Sequence, residues 1–162
     1  VFPAADGDIL IAVGNDSPPM CAIRTDGQGD VTETHILWKA EDNLPDTCSP
    51  LATQDFVFVT TSYGGLTAYD TKTGKMLWEE NFDDIKFSAS PSWVGKRLLL
   101  ITRDGKAWFF EPTREAANKV GEADLGEPCV TSPAFQDGHI YLRGEKHLFC
   151  IGNSASAGPG RP

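Results

Sequence analysis

Residues able to do chemistry are present but scattered along the chain. His35, His139 and His147 could ligate a metal, but they stand far outside the spacing of a zinc-binding pair. Cys21, Cys48, Cys129 and Cys150 include no Cys-x-x-Cys pair, so neither a zinc knuckle nor a thiol–disulfide motif is predicted. Cys48 and Cys129 fall in different repeat units, which argues against a bridge between them. Cys21 and Cys150 read as small buried apolar residues. Ser49, Ser90 and Ser132 are each followed by proline, and none occupies the Gly-x-Ser-x-Gly turn of a nucleophilic serine. Asp6 with Asp8, and Asp83 with Asp84, could hold calcium loosely, yet neither pair matches a calcium-loop pattern and both read as solvated turns. His35 reads as a solvent-facing strand residue and His147 as the start of a strand. This inventory favours recognition over reaction.

The bulk numbers agree with that. The chain has 162 residues, enough for one real core, with 40% hydrophobic and 23% charged residues. The formal net charge of −9 argues against nucleic acid, whose phosphates need basic patches, and against anionic lipid. No apolar run approaches the roughly 18 residues of a membrane-spanning helix. The chain starts at Val1 with no signal peptide, which predicts a processed or truncated piece and leaves export open.

The elements that must position these residues are strands. Helical periodicity is nearly absent, and Pro112 to Val120 is the one helix-like stretch. Short apolar runs punctuated by Gly, Pro, Asp and Asn predict an all-β chain. Ser-Pro recurs at Ser49-Pro50, Ser90-Pro91 and Ser132-Pro133, at intervals of 41 and 42 residues. After each comes a turn, an apolar strand, a second turn and another strand. Trp38 and Trp78 stand 40 residues apart at the ends of such units, and Pro3 takes the proline position of the first. A period near 40 with four strands per unit is the spacing of a β-propeller blade. The predicted fold is a partial or half β-propeller of about four blades with four-stranded antiparallel sheets. Their spans are 1–44, 45–84, 85–126 and a three-stranded 127–152, with a flexible tail at 153–162.

The stretch Ala68-Tyr69-Asp70-Thr71-Lys72-Thr73-Gly74-Lys75-Met76-Leu77-Trp78 reads as strand, tight turn, strand. Ala68 is small where a neighbouring sheet approaches. Asp70 and Thr73 can satisfy turn amides, and Gly74 supplies positive φ. Trp78 offers a broad apolar face with one N–H donor. The pattern A-x-D-x-x-T-G-x-x-x-W resembles the tryptophan-docking motif of quinoprotein propellers, the PQQ-like repeat. It is complete at Ala68, Asp70, Thr73, Gly74 and Trp78. The first unit keeps Ala22 and Trp38 but has Glu33-Thr34 for Thr-Gly. The third has Asn118-Lys119-Val120 where the Trp is expected, and the fourth puts Cys150 in the small-residue position. Gly29-Asp30-Val31-Thr32, the Trp38 strand, Ser49-Pro50 and the ending Lys146 to Gly152 resemble the C-terminal half of BamB-related PQQ-like proteins of Planctomycetes-type bacteria.

That resemblance implies a periplasmic or extracellular binding or scaffolding module without chemistry of its own. Four blades cannot enclose an axial cavity, so no cofactor is expected on this chain alone; the absent outer strand of the fourth unit and the open inner face of the first predict a protein partner, the missing half of a ring, or a second copy as partner. The rival reading is a fragment of a PQQ-dependent alcohol or sugar dehydrogenase, with PQQ and calcium as cofactors. Family members of that kind hold calcium through Glu and Asn, use a catalytic Asp and often carry adjacent cysteines, and this chain lacks the Cys-Cys pair. Loops after the second strand of each unit are the expected recognition rim: Asn15 to Pro19, Ser62-Tyr63, Arg103-Asp104 and Arg143-Gly144-Glu145-Lys146. Arg24, Tyr63, Arg103, Arg143 and Lys146 are the candidate rim residues, suited to a carboxylate or peptide.

Overall fold

The computed structural model describes residues 4–14 and 19–152, for 4–6 the backbone alone. Those residues form fifteen strands in four antiparallel sheets and no helix. Sheet one holds β1 (Ala4–Asp6), β2 (Ile9–Ala12), β3 (Met20–Arg24) and β4 (Ile36–Ala40). Sheet two holds β5 (Leu51–Ala52), β6 (Phe56–Thr60), β7 (Gly65–Asp70) and β8 (Met76–Asn81). Sheet three holds β9 (Ser92–Val94), β10 (Arg97–Ile101), β11 (Lys106–Pro112) and β12 (Ala117–Asp124). Sheet four holds β13 (Ala134–Gln136), β14 (His139–Arg143) and β15 (Leu148–Ile151). Strand order within each sheet follows the chain, so every sheet is a meander. Pro3, Asn15 to Pro18 and the 153–162 tail lie outside the described residues.

Both faces of the inner sheets are apolar, because each must bury two neighbours. Val57, Val59 and Tyr69 of sheet two pack with Ile11, Met20, Ala22 and Trp38 of sheet one. Phe58, Leu66, Ala68 and Trp78 turn the other way, onto Leu98, Leu100, Trp108 and Phe110 of sheet three. Leu99, Ile101 and Ala107 then meet Leu142 of sheet four. Strand alternation thus sends successive residues of β6 and β10 into different seams. A β-propeller arc is the outcome, unclosed at both ends.

The helix-like stretch Pro112 to Val120 is strand and turn instead. Pro112 ends β11, and Thr113 to Ala116 form the corner before β12. Thr113 Oγ1 accepts from the amides of Glu115 and Ala116, and Thr113 N donates to Ala116 O. A side chain that captures two amides locally competes with helix at that point.

Candidate functional site

The seams are built first. In sheets one and two, Ala22 lies opposite Trp38 and Ala68 opposite Trp78, each pair followed by a bulge on the outer edge. The small residue leaves room for the indole, and the bulge bends the outer strand. The Trp38 Nε1–H then donates across to Thr71 O of sheet two at 2.8 Å, and Trp78 Nε1–H to Thr113 O of sheet three at 2.9 Å. Gly74 has φ +68, and a Cβ there would overlap the Trp38 ring. Asp70 Oδ1 accepts from the amides of Lys72 (3.1 Å) and Thr73 (2.8 Å) and from the Thr73 hydroxyl at 2.8 Å. Its Oδ2 takes Arg114 Nη2 from sheet three at 2.6 Å. The Arg114 bond, with those from Thr73, holds the Asp70 carboxyl at about 2.

A second tie runs through the Ser-Pro serines. Ser49 N–H donates to Ser90 Oγ at 2.9 Å, and Ser90 N–H to Ser132 Oγ at 2.9 Å. The 41- and 42-residue period therefore links consecutive sheets where each first strand opens. Beside it the buried Cys48 thiol donates to Ala89 O at 3.4 Å, and burial raises its pKa. All four cysteines are free; Cys150 is exposed and Cys21 half-buried, not the buried residues the sequence suggests. Cys150 differs because no further sheet packs on its face among the described residues.

In sheets two, three and four the loops joining second to third strands fall on one rim of the arc. They carry Tyr63, which is 67% exposed, with Arg103, Arg143 and Lys146. Arg24 lies on the opposite rim: it closes β3 opposite Ile9, the position Asp70 takes in β7 opposite Phe56. Its guanidinium pairs with Asp26 at 3.2 Å, so Arg24 leaves the rim set. Strand parity decides this, since a third-strand end and a second-strand end sit at opposite edges of a sheet. A cavity of about 220 Å³ beside Arg103 is lined by Asp84, Ile85, Lys86 and Asp104.

Acids hold this rim together. Asp46 accepts from Ser62 N at 2.8 Å and Ser62 Oγ at 2.5 Å, and Glu127 from His147 N at 2.9 Å, Lys146 N at 3.3 Å and His147 Nδ1 at 3.0 Å. Burial pushes both carboxyls up, but these bonds together outweigh it and hold each below the usual range. Sequence reasoning missed Glu127, because nothing local marks an acid that serves a hairpin twenty residues on. His35 is also more enclosed than predicted, with a side chain 17% exposed and 3.4 Å from Asp26. Among the described residues no three His, Cys, Asp or Glu side chains gather as a metal site would require.

In the third seam the large and small partners exchange. Phe109 stands opposite Gly121, again beside a bulge. The missing Trp therefore corresponds to Gly121, not to Asn118-Lys119-Val120. Between sheets three and four a cavity of about 540 Å³ opens, lined among others by Val94, Phe135, His139, Ile140 and Ile151.

Known proteins share this architecture. BamB from Moraxella catarrhalis aligns at TM-score 0.67 and 18% identity, over 88% of this chain and 39% of that one. The quinohemoprotein alcohol dehydrogenase ADHIIG from Pseudomonas putida HK5 aligns at TM-score 0.64 and 13% identity, over 86% of this chain and 27% of that one. The computationally designed Ika4 protein aligns at TM-score 0.62 and 12% identity, over 93% of this chain and 89% of that one. The chain thus spans well under half the length of the two natural proteins. No curated protein sequence matches it. A family model described as outer membrane protein assembly factor BamB matches residues 28–119, more than half of the sequence, and the chain belongs to this family of PQQ-like β-propeller repeat proteins.

Proposed function

We propose that this chain is a non-catalytic PQQ-like propeller module that binds a protein partner or ligand in the cell envelope, in a periplasmic or extracellular setting. The carrying observation is what three of its electrostatically shifted acids do. Asp46, Asp70 and Glu127 each hold a hairpin or a seam, and none converges with another on a cavity. Perturbed carboxylates of a reaction centre would face a common cleft. Exposed Tyr63, Arg103 and Arg143 share the rim and suit an acidic or carboxylate-bearing partner. A second copy that completes the arc is part of the same proposal.

The dehydrogenase reading rests on the likeness to ADHIIG and to a europium-containing methanol dehydrogenase, at TM-score 0.55 and 17% identity over 75% of this chain and 24% of that one. PQQ and calcium would be its cofactors; among the described residues no three His, Cys, Asp or Glu side chains gather. The test is titration of the chain with a glutamate-rich peptide, and separately with PQQ and calcium. Saturable, salt-sensitive peptide binding that Arg103→Glu/Arg143→Glu abolishes is expected. Saturable PQQ binding with dye-linked alcohol oxidation would favour the dehydrogenase instead.

A further inference from the structure

In each sheet the residue after the opening proline starts a row of paired residues that crosses the strands. The rows are Ala4–Ile11–Ala22–Trp38 in sheet one, Leu51–Phe58–Ala68–Trp78 in sheet two and Ser92–Leu99–Phe109–Gly121 in sheet three. In every complete row the last two members are one small residue and one aromatic: Ala with Trp twice, Phe with Gly once. In sheet four the row runs Ala134–Tyr141–Cys150 and stops, because β15 has no strand beyond it among the described residues. Its third-strand member is small, as in sheets one and two. Ala22 and Ala68 are fully buried, whereas Cys150 is exposed. In sheet two the Phe58 and Trp78 rings of one row lie 6.2 Å apart between centroids. Tyr141, which takes the place of Phe58, has no such neighbour from its own row and is 36% exposed. The outer edge of β15 thus presents both open main-chain groups and the small half of an unfinished pair.

We infer that the edge of β15 takes up an extended segment of a partner polypeptide as a fourth strand, with an aromatic side chain set opposite Cys150. The sister strands show the character of such a segment. In β4 and β8 only Trp38 and Trp78 are buried, and the residues around them are half-buried or exposed, Lys39, Glu79 and Glu80 included. Main-chain hydrogen bonds give such a strand its affinity, and the one ring fixes its register; sheet edges take up peptides in this way. The residues that follow β15 do not supply the ring. They read Asn-Ser-Ala-Ser-Ala-Gly-Pro-Gly-Arg-Pro over 153–162, with no aromatic and with the Gly and Pro that strands avoid. Another polypeptide is therefore the source. The inference rests on the partner-binding reading and gives that partner a form, an extended strand, on an edge distinct from the Tyr63 and Arg103 loops.

The test uses the full chain and a capped peptide copy of β4 with its neighbours, residues 35–41, His-Ile-Leu-Trp-Lys-Ala-Glu. Its one Lys and one Glu leave it without the acidic charge expected of a rim ligand. Amide hydrogen exchange and NMR shifts report where it binds. Saturable binding is expected, with slowed exchange and shifts within Leu148–Ile151, and a copy with alanine for tryptophan should bind at least about tenfold more weakly. Cys150→Phe puts the large residue on the third strand, as Phe109 stands opposite Gly121. It should weaken the tryptophan peptide about tenfold and reverse the preference, so that a copy with glycine for tryptophan binds more tightly than the tryptophan copy. Should that variant fail to fold, the tryptophan and alanine copies on the unaltered chain decide the matter. Absence of saturable binding, equal binding of the alanine copy, protection confined to the rim loops or to sheet one, or an unreversed preference in Cys150→Phe would overturn the inference. A glutamate-rich peptide that fails to bind while the strand peptide binds removes the rim alone, and the converse removes the edge alone.

Discussion

Asp70 carries three bonds from its own turn and one from Arg114 across the seam, so its carboxylate is a joint rather than a solvated charge. Its folded value of about 2 lies below the ordinary aspartate value of 3.8. A depressed carboxylate adds stability above the unfolded value, and that stability is lost as pH falls from about 4 toward 2. Because Arg114 is 60% exposed, solvent screening limits the contribution. Asp70→Asn should cost about 1 kcal/mol near neutral pH, and the deficit should vanish by about pH 2, read by urea unfolding of both proteins across that range. Gly74 tests the other side of the joint. Alanine there must hold φ +68 and push into the Trp38 ring, so Gly74→Ala should cost about 2–3 kcal/mol and shift Trp38 emission. Asp70 and Gly74 were legible in the sequence, because their roles are set by the turn that contains them. Arg24 was not, since it shares their register yet carries the opposite charge and ends at the opposite edge from Arg103.

Sheets show how one repeat yields unequal seams. The Ser-Pro spacing was readable because it recurs, and its serines meet at the intervals that made them visible: Ser49 on Ser90, Ser90 on Ser132. The exchange of Ala–Trp for Phe–Gly was hidden, because pairing across a bulge shifts the partner by a residue and only the ladder reveals it. Likewise Thr113 turned an apparent helix into a corner through its own hydroxyl. The exchange has an energetic consequence. In the second seam Ala68 cannot replace the volume of Trp78, whereas in the third Phe109 supplies part of it. Trp78→Gly should therefore cost about 3–5 kcal/mol, the range for deleting a buried aromatic. It should leave Thr113 O without its donor. Added indole should restore part of the loss, seen as a rise in thermal midpoint that the wild-type second seam does not show.

At the scale of the whole molecule, the two ends of the arc are different surfaces. Tyr141, Leu148 and Cys150 of sheet four take the positions that Phe58, Leu66 and Ala68 of sheet two bury against sheet three. Yet Leu148 is 68% exposed and Tyr141 36%. Sheet one offers Leu10, Ala12, Cys21 and Ile23, all half-buried, at the positions with which sheet two meets its preceding neighbour. One end is thus shaped to be followed by a sheet and the other to be preceded by one. Such head-to-tail surfaces either close into a ring or propagate. Two arcs of four sheets meeting at both ends form a closed ring with two-fold symmetry, which removes both exposed apolar faces at once. Light scattering on the size-exclusion peak should therefore give a mass twice 17.6 kDa, independent of loading above the dissociation constant. Tyr141→Lys/Leu148→Lys places two charges on the following face and should return the monomer without unfolding it, since both side chains are exposed. A wild-type monomer at all concentrations would mean that these faces tolerate water. A mass that climbs with concentration would mean that the rotation between sheets fails to close after eight, and that the same surfaces build an open chain.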